Sequence, residues 1–70
     1  MRNITIIEIL KGIASGEIKN ETLFVDELLD NRILVKNNDL YFLYEDGEEV
    51  KVQVYQVINL IEDNIRFDEY

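Results

Sequence analysis

Nucleophilic side chains are scarce in this chain of 70 residues. Outside tyrosine, its hydroxyl groups are those of Thr5, Ser15 and Thr22, and it contains no histidine and no cysteine. Catalysis by a serine, threonine or cysteine nucleophile needs an adjacent base, which is most often histidine. The sequence therefore excludes a catalytic triad, and we expect a protein that is not an enzyme and has no catalytic residues.

Carboxylates are the abundant chemical group, since 15 Asp and Glu residues against 7 Lys and Arg residues give a net charge of −8. Acid and base pairs like those of glycosidases therefore arise by abundance alone and specify no site. The densest acidic run, residues 45–49, lacks the spaced oxygen ligands of a calcium-binding loop. It is better explained as a solvated hairpin tip, with a partner-binding tip as the alternative. We expect no metal and no cofactor.

The negative charge indicates what kind of partner the chain binds. Affinity for DNA or RNA comes largely from Lys and Arg on phosphates, so direct binding to nucleic acid is disfavoured. A compact negative surface can instead occupy a basic nucleic-acid channel, with carboxylates standing where phosphates would stand. Solubility alone is the plainer explanation of such a charge. The candidate carboxylates are Asp26, Glu27, Asp30, Asp46, Glu48, Glu49, Glu62 and Asp63.

Length and composition predict one small globular domain spanning residues 1–70. Apolar residues make up 47% of the chain, which is typical of globular proteins. A domain of this size buries only about 60% of the surface of its unfolded chain, so that a partner or a second copy would stabilise it. No run approaches the length of a membrane span, and the first residues lack the features of a signal peptide. We therefore expect a cytoplasmic protein with no membrane partner.

The N-terminal segment carries the signals of a helix. Thr5 and Glu8 have the spacing of a capping box, in which each side chain accepts a hydrogen bond from a free backbone N–H, and we expect the helix to begin at Ile6. Gly16 is expected to end it, and Gly12 to weaken it by about 1 kcal/mol relative to alanine. One face of this helix collects the apolar residues Ile6, Ile9, Leu10 and Ile13.

The segment from residue 17 to residue 31 permits two interpretations. An apolar run at residues 23–25 fits a short strand, but the apolar residues at 24, 25, 28 and 29 also fit one side of a helix. The acidic residues at 26 and 27 suit the first turn of a helix. We expect a short strand or loop, followed by a helical turn that continues to Asp30.

The central part of the chain predicts a three-stranded antiparallel meander, because two hairpin connections separate three apolar stretches. A type I′ turn at the two asparagines 37 and 38 would pair Val35 with Leu40. A type I turn followed by Gly47 in the left-handed conformation would pair Phe42 with Val50. Both hairpins then agree on which residues share a face.

This register sorts the meander into two faces. The apolar face collects alternate residues of the strands: Ile33, Val35, Leu40, Phe42, Tyr44, Val50, Val52 and Val54. The opposite face carries polar residues, namely Arg32, Glu49, Lys51 and Gln53, around a cluster of Leu34, Tyr41 and Leu43. These three apolar side chains need a cover, which is either a segment of the same chain or a binding partner.

The C-terminal part predicts a second, short helix that Asn64 can end. Its apolar face would consist of Val57, Ile58, Leu60 and Ile61. Residues 65–67 are expected to add an edge strand, and residues 68–70 to fray. The expected fold class is α+β, a small single domain in which an N-terminal helix and a short C-terminal helix pack on the apolar face of the meander.

Both ends of the chain resemble one group of proteins. The opening residues that carry the resemblance are Thr5-Ile6-Ile7-Glu8-Ile9-Leu10 and Ile13-Ala14-Ser15-Gly16-Glu17, and the closing ones are Val57, Leu60, Ile61, Glu62, Asp63 and Ile65. The group is that of small acidic uncharacterised proteins of phages and prophages of low-GC Gram-positive bacteria. The resemblance implies a phage protein that acts in the cytoplasm of its host cell, and it implies no catalytic residue.

Two functions follow from these expectations. The first is a non-enzymatic acidic module that binds a host or phage protein, above all an inhibitor of a host nucleic-acid-handling or defence protein of the anti-CRISPR or DNA-mimic type. The second is a structural or accessory phage protein that forms a homo-oligomer and has no inhibitory role. The expected binding residues are the eight carboxylates named above and the apolar residues Leu34, Tyr41 and Leu43.

Overall fold

The computed structural model describes residues 3–26, 28 and 30–70, which form two helices and five strands. In chain order the elements are α1 (Ile6–Ser15), β1 (Leu23–Asp26), β2 (Asn31–Lys36), β3 (Asp39–Leu43), β4 (Glu49–Lys51), α2 (Val54–Glu62) and β5 (Asp68–Glu69). The strands form one open antiparallel sheet in the order β4-β3-β2-β1-β5. The α+β class is confirmed, but the three-stranded sheet is wrong, because β1 and β5 extend it to five strands.

Helix α1 has the predicted ends. The Glu8 N–H donates to Thr5 Oγ1 at 3.3 Å and the Thr5 N–H donates to Glu8 Oε1 at 3.0 Å, so both halves of the capping box are present. Gly16 follows the helix in the left-handed conformation, with φ of 82°, and its N–H donates to the Ile13 carbonyl at 3.2 Å. Local capping therefore fixes both ends of this helix.

Gly12 is required by packing in the middle of α1. The Ile18 side chain occupies the space beside it, and a Cβ added at residue 12 would stand 2.6 Å from Ile18 Cγ1. The Ile18 N–H also donates to the Gly12 carbonyl at 3.0 Å, and Ile18 is 5% exposed. The chain folds back over α1 through the space that a side chain at residue 12 would fill. The packing of Ile18 in this space offsets the low helix propensity of glycine.

The β2–β3 hairpin has the predicted turn and register. Asn37 and Asn38 have φ values of 54° and 59°, and two consecutive residues with positive φ are what a type I′ turn requires. Asparagine tolerates this conformation better than most residues. Val35 pairs with Leu40 as expected, so both side chains point to the same face of the sheet.

The β3–β4 hairpin is also the predicted one. Gly47 has φ of 90°, and its N–H donates to the Tyr44 carbonyl at 2.9 Å, while the Tyr44 N–H donates to the Glu48 carbonyl at 2.9 Å. Phe42 pairs with Val50, which is the register that places both on the apolar face.

Strand β1 lies on the other side of β2, where the sequence left two interpretations open. Phe24 pairs with Ile33 and is fully buried, so residues 23–26 alternate between the two faces of the sheet. The helical turn expected from Asp26 is wrong at its start, because Asp26 is the last residue of β1. Pairing with β2 overrides the helical signals of so short a segment. Residues 27 and 29 lie outside the described part of the chain.

The C-terminal residues are held in the sheet. Ile4 and Phe67 exchange two backbone hydrogen bonds of 2.8 Å, and Phe67 is fully buried. Strand β5 follows and pairs with β1, and the Tyr70 N–H donates to the Leu23 carbonyl at 2.8 Å. Of the expected strand at 65–67, only Phe67 pairs with another strand segment, and β5 occupies the next two residues instead. The expected fraying of residues 68–70 is wrong, because β1 offers them an edge to pair with.

The core lies between the sheet and the two helices. Its buried residues are Ile6, Ile9, Ile18, Phe24, Ile33, Val35, Leu40, Val52, Leu60 and Phe67. The predicted apolar face is confirmed at its centre but not at its far end, where Tyr44, Val50 and Val54 are 48%, 38% and 76% exposed. Strand β4 ends at Lys51, and Val54 begins a helix instead of extending the strand.

The predicted C-terminal helix is confirmed as α2, but its apolar residues divide between two surfaces. Val57 and Leu60 pack against the core. Ile58 and Ile61, which were expected on the same face, are 48% and 42% exposed. On α1 the same correction applies to Leu10, which is 39% exposed.

Gly12→Ala is expected to destabilise the fold by about 1–3 kcal/mol, because overpacking against Ile18 outweighs a gain of roughly 1 kcal/mol in helix propensity. Urea unfolding followed by circular dichroism measures the change. The matched control is Ile18→Ala, in which the space is empty and a further Gly12→Ala should be neutral or stabilising. Equal destabilisation in both backgrounds would contradict the packing requirement.

The hydrogen bond from the Thr5 N–H lowers the pKa of Glu8, with smaller contributions from the Thr5 hydroxyl and from Arg66, whose Nη1 lies 3.7 Å from Glu8 Oε1. A carboxyl group whose pKa is lower in the folded state than in the unfolded state stabilises the fold at pH values above its unfolded pKa. This contribution to the free energy of unfolding is lost as the pH falls through the folded pKa. Between about pH 6 and pH 3 the wild type should therefore lose more unfolding free energy than Glu8→Gln, which keeps a capping oxygen. Urea unfolding at both pH values measures this, and equal losses would refute it.

Candidate partner-binding surface

Helices α1 and α2 both pack on one face of the sheet, and no helix of the described residues covers the other, which we call the open face. Alternation along the paired strands defines its residues: Leu23, Val25, Arg32, Leu34, Lys36, Asp39, Tyr41, Leu43, Glu49 and Lys51. It carries the predicted apolar cluster and is wider than expected, because β1 adds Leu23 and Val25.

Leu34 lies at the centre of the open face, and its neighbours bury it. It pairs with Leu23 on one side and with Tyr41 on the other, and it is 9% exposed. Tyr41 and Leu43 are half-buried. Of the three predicted apolar anchors, Tyr41 and Leu43 therefore keep surface for a partner, whereas Leu34 offers almost none.

Two ion pairs cross the open face. Lys36 Nζ lies 2.8 Å from Glu49 Oε1 and joins β2 to β4 across β3, and Lys51 Nζ lies 3.1 Å from Asp39 Oδ2. The hydrogen bond to Glu49 raises the pKa of Lys36, while a hydrogen bond from the Leu40 N–H, helped by Lys51, lowers the pKa of Asp39. Exposed pairs of this kind add little stability. They do mean that Glu49, a candidate binding residue, already has a cation of its own chain as partner.

One end of the open face forms a cleft of about 580 Å³, which we call the acidic cleft. Its lining residues are Asp30, Arg32, Leu43, Tyr44, Glu45, Asp46 and Glu48. Four carboxylates against one guanidinium leave a formal charge of −3 around the apolar surface of Leu43 and Tyr44. Within the described residues, no ion pair joins Arg32 to any of the four carboxylates.

Two segments distant in sequence build the acidic cleft. Because Ile33 pairs with Phe42, Arg32 and Leu43 lie at the same level of the sheet. Asp30 precedes β2 in the left-handed conformation, with φ of 57°. The hairpin tip from residue 45 to residue 48 closes the other side, and a hydrogen bond of 2.9 Å from the Glu48 N–H to Asp46 Oδ1 orders it. The cleft is thus a product of the hairpin register.

The structure separates the eight candidate carboxylates. Three of them, Asp30, Asp46 and Glu48, meet in the acidic cleft. Glu62 and Asp63 lie at the end of α2, on the other side of the sheet. Glu27 lies outside the described residues. Sequence reasoning missed Glu45, which it treated as a turn residue, and the signal that could have found it is its place in the densest acidic run.

Asp26 has a structural position. It is 4% exposed, its Oδ1 accepts the Leu28 N–H at 3.1 Å, and its Oδ2 accepts Asn31 Nδ2 at 3.4 Å. A buried carboxylate with these donors connects β1 to the start of β2 and leaves almost no surface for a partner. This placement argues against the expectation that Asp26 binds a partner.

A second, smaller cleft lies beside Arg32 on the β1 side of the open face. Its volume is about 350 Å³, and its lining residues are Leu23, Val25, Asp26, Asp30, Arg32 and Tyr70. Asp30 and Arg32 therefore border both clefts. Sequence reasoning missed this cleft, because it did not predict that β1 joins the sheet or that Tyr70 is held beside it.

The described part of the chain offers neither a cluster of metal ligands nor a membrane-spanning helix. It contains no group of three or more metal-ligating side chains placed to hold a metal ion. None of its helices has the length and hydropathy that a membrane crossing requires.

Asp26→Ala is expected to destabilise the fold by about 1–3 kcal/mol, because the Leu28 N–H and the Asn31 amide lose a buried acceptor. Glu45→Ala removes the same charge from an exposed position and should change stability by less than about 0.5 kcal/mol. Urea unfolding measures both. Equal stability of the two variants would return Asp26 to the set of binding candidates.

Comparisons of this chain with protein-family models, with curated proteins and with solved structures found no match. The functional interpretation therefore rests on the open face and its two clefts.

Proposed function

We propose that this chain is a non-enzymatic protein-binding module whose acidic cleft binds the basic surface of a nucleic-acid-handling protein. The observation that carries the proposal is the convergence of four carboxylates, from residue 30 and from residues 45–48, around Leu43 and Tyr44. Protein interfaces commonly combine a polar, charged rim with an apolar contact at the centre. The acidic cleft has both components.

The charge of the acidic cleft adds to a field of the same sign. The whole chain carries −8, so the cleft attracts a surface rich in Lys and Arg over a distance of about 10 Å at an ionic strength of about 0.1 M. Tyr44 is 48% exposed at the edge of this cleft, and tyrosine is enriched at interface centres. Charge would steer the encounter, and the apolar contact would hold the complex.

A nucleic-acid-handling protein is the partner that this chemistry fits best. Such proteins align Lys and Arg along a channel that neutralises phosphates. Carboxylates of the acidic cleft can stand in place of those phosphates and occlude the channel. The resemblance to small phage proteins supports a host protein as the target and inhibition, of the DNA-mimic or anti-CRISPR type, as the effect.

Self-association through the open face is the weaker alternative. It was expected to use Leu34, Tyr41 and Leu43, but the 9% exposure of Leu34 leaves little apolar area at the centre of that face. Two open faces would also bring two acidic clefts together, and like charges would repel.

Asp46→Lys combined with Glu48→Lys is expected to weaken partner binding by about tenfold or more, because two attractions in the cleft become repulsions. The immobilised protein captures partners from the cytoplasm of a low-GC Gram-positive bacterium at low and at high salt, and mass spectrometry quantifies them. The wild type should enrich a nucleic-acid-handling protein at low salt and lose it at high salt.

The matched control is Glu62→Lys combined with Asp63→Lys, which makes the same change in net charge at the end of α2, away from the acidic cleft. This control should still capture the partner, provided that circular dichroism shows both variants to be folded. Equal loss in the two double variants would mean that net charge alone drives binding. Unchanged capture by the cleft variant would remove the acidic cleft from the binding site.

Occlusion is tested on the captured protein itself. Fluorescence anisotropy follows a labelled nucleic acid bound to that protein while the wild-type chain is added. The label should be released by the wild type and retained when the cleft variant is added. Retention at saturating wild type would leave the protein complex intact but exclude mimicry.

A further inference from the structure

The outer surface of the two helices carries apolar side chains that neither the core nor the open face uses. We call this surface the helix-layer patch. Its residues are 39–76% exposed and comprise Ile7, Leu10, Val54, Tyr55, Ile58 and Ile61. Single exposed apolar side chains are ordinary, but four on the nine residues of α2 and two on the neighbouring helix α1 are a concentration of the kind that marks an interaction site.

Helix α2 supplies an unbroken apolar stripe to this patch. Val54, Ile58 and Ile61 follow the spacing i, i+4 and i+7, which places them on one side of the helix. Leu60 belongs to the other side and is buried in the core. No charged residue occurs from residue 54 to residue 61. The helix therefore has two apolar sides, and the protein covers one of them.

Helix α1 extends the patch. Both helices pack on the same face of the sheet and contact each other. The segment after α2 connects the two helices, because the Ile65 N–H donates to the Leu60 carbonyl and the backbones of Ile4 and Phe67 are hydrogen-bonded. Ile7 and Leu10 add apolar side chains that are 41% and 39% exposed on this layer.

We propose that the helix-layer patch is the interface of a symmetric homodimer, in which a second copy of the chain covers it. Two copies that each carry −8 repel one another over most of their surfaces. The middle of α2 is a stretch where they can meet without opposing like charges, because it bears no charge. The uncharged middle of α2 is thus the part of the surface through which an acidic protein can associate with itself.

The exposed area is close to the least that a specific interface needs. From their exposed fractions, the six side chains present on the order of 500 Å² of apolar surface per copy. Two copies would bury about 1,000 Å² in total, which is near the lower bound for a specific protein interface. A small domain that buries a limited fraction of its own surface gains stability from this additional burial.

A two-fold axis through α2 suits the stripe. Ile58 is the central residue of the helix, which runs Val54–Glu62. When two such helices pack antiparallel, Ile58 meets its counterpart in the second copy, and Val54 approaches the counterpart of Ile61. The open faces lie on the far sides of the two sheets, so the dimer presents two acidic clefts to the solvent.

A membrane surface fits the patch less well than a second copy. Helices that lie on membranes carry Lys and Arg on their polar side and bind anionic lipids. The polar residues of α2 are instead Gln56, Asn59 and Glu62, in a chain of net charge −8. Negative lipid headgroups would repel it.

Sedimentation velocity of the purified chain over a range of concentrations tests the dimer. The wild type is expected at twice its chain mass of 8.3 kDa, with dissociation on dilution. Ile58→Glu places two like charges at the axis and should raise the dissociation constant by about a hundredfold or more. Asn59→Glu is the matched control, because it adds the same charge to an exposed position of the same helix outside the stripe, and it should remain dimeric.

A mixture of Ile58→Glu and Ile58→Lys gives a second readout. Each variant alone should be monomeric, whereas the mixture should form a heterodimer, because opposite charges then meet at the axis. A merely unfolded variant would show no such recovery. If Ile58→Glu does not fold, Val54→Glu replaces it, since Val54 is 76% exposed and the core does not depend on it.

A wild type that stays at 8.3 kDa at its highest soluble concentration would overturn the proposal. A dimer that persists in folded Ile58→Glu and Val54→Glu would overturn it as well. The cleft variant, Asp46→Lys with Glu48→Lys, should dimerise like the wild type. Failure of the dimer and failure of the acidic cleft as a binding site are therefore separate results.

Discussion

The pairing register of β2 is the constraint on which the rest of the structure depends. This strand pairs with β3 on one side and with β1 on the other, so it decides which side chains of three strands face the helices. A slip by one residue would exchange Ile33 and Val35 in the core for Arg32 and Leu34 on the open face. The type I′ turn at residues 37 and 38 and the burial of the core side chains favour the same register. The acidic cleft exists because this register aligns Arg32 with the end of β3.

The two sides of the sheet differ in their exposed surfaces. One side of the sheet carries the acidic cleft and the two ion pairs that cross the open face. The other side carries helices whose outer surface is apolar at six positions. A net charge of −8 opposes compaction of a small domain, and it also disfavours contact between copies except where charge is absent. The two surfaces therefore suit different partners.

The parts of the fold that the sequence predicted are those with local signals. The capping box of Thr5 and Glu8, the left-handed Gly16 and the two hairpin turns each depend on residues close together in the chain, and each is confirmed. The strands β1 and β5 were missed or left open, because their pairing joins Val25 to Asp68 and no local pattern reports such a distant partner. The same limit applies to the site. Alternation predicted Tyr41 and Leu43 on one face, and the predicted β2–β3 register brings Asp30 close to the hairpin tip. The burial of Asp26 and the exposed side of α2 follow instead from three-dimensional packing.

The hydrogen bonds between Ile4 and Phe67 have a consequence for how the chain is made. Helix α1 and the two hairpins depend on contacts between neighbouring residues, which form faster than contacts between distant ones. The position of Phe67 in the core and the edge of β1 stay empty until residues 67–69 have emerged. Folding of this domain is therefore completed only once Phe67 and β5 are free to pair. A prematurely terminated chain would carry a bare strand edge, which is the kind of surface that aggregates or that a chaperone binds.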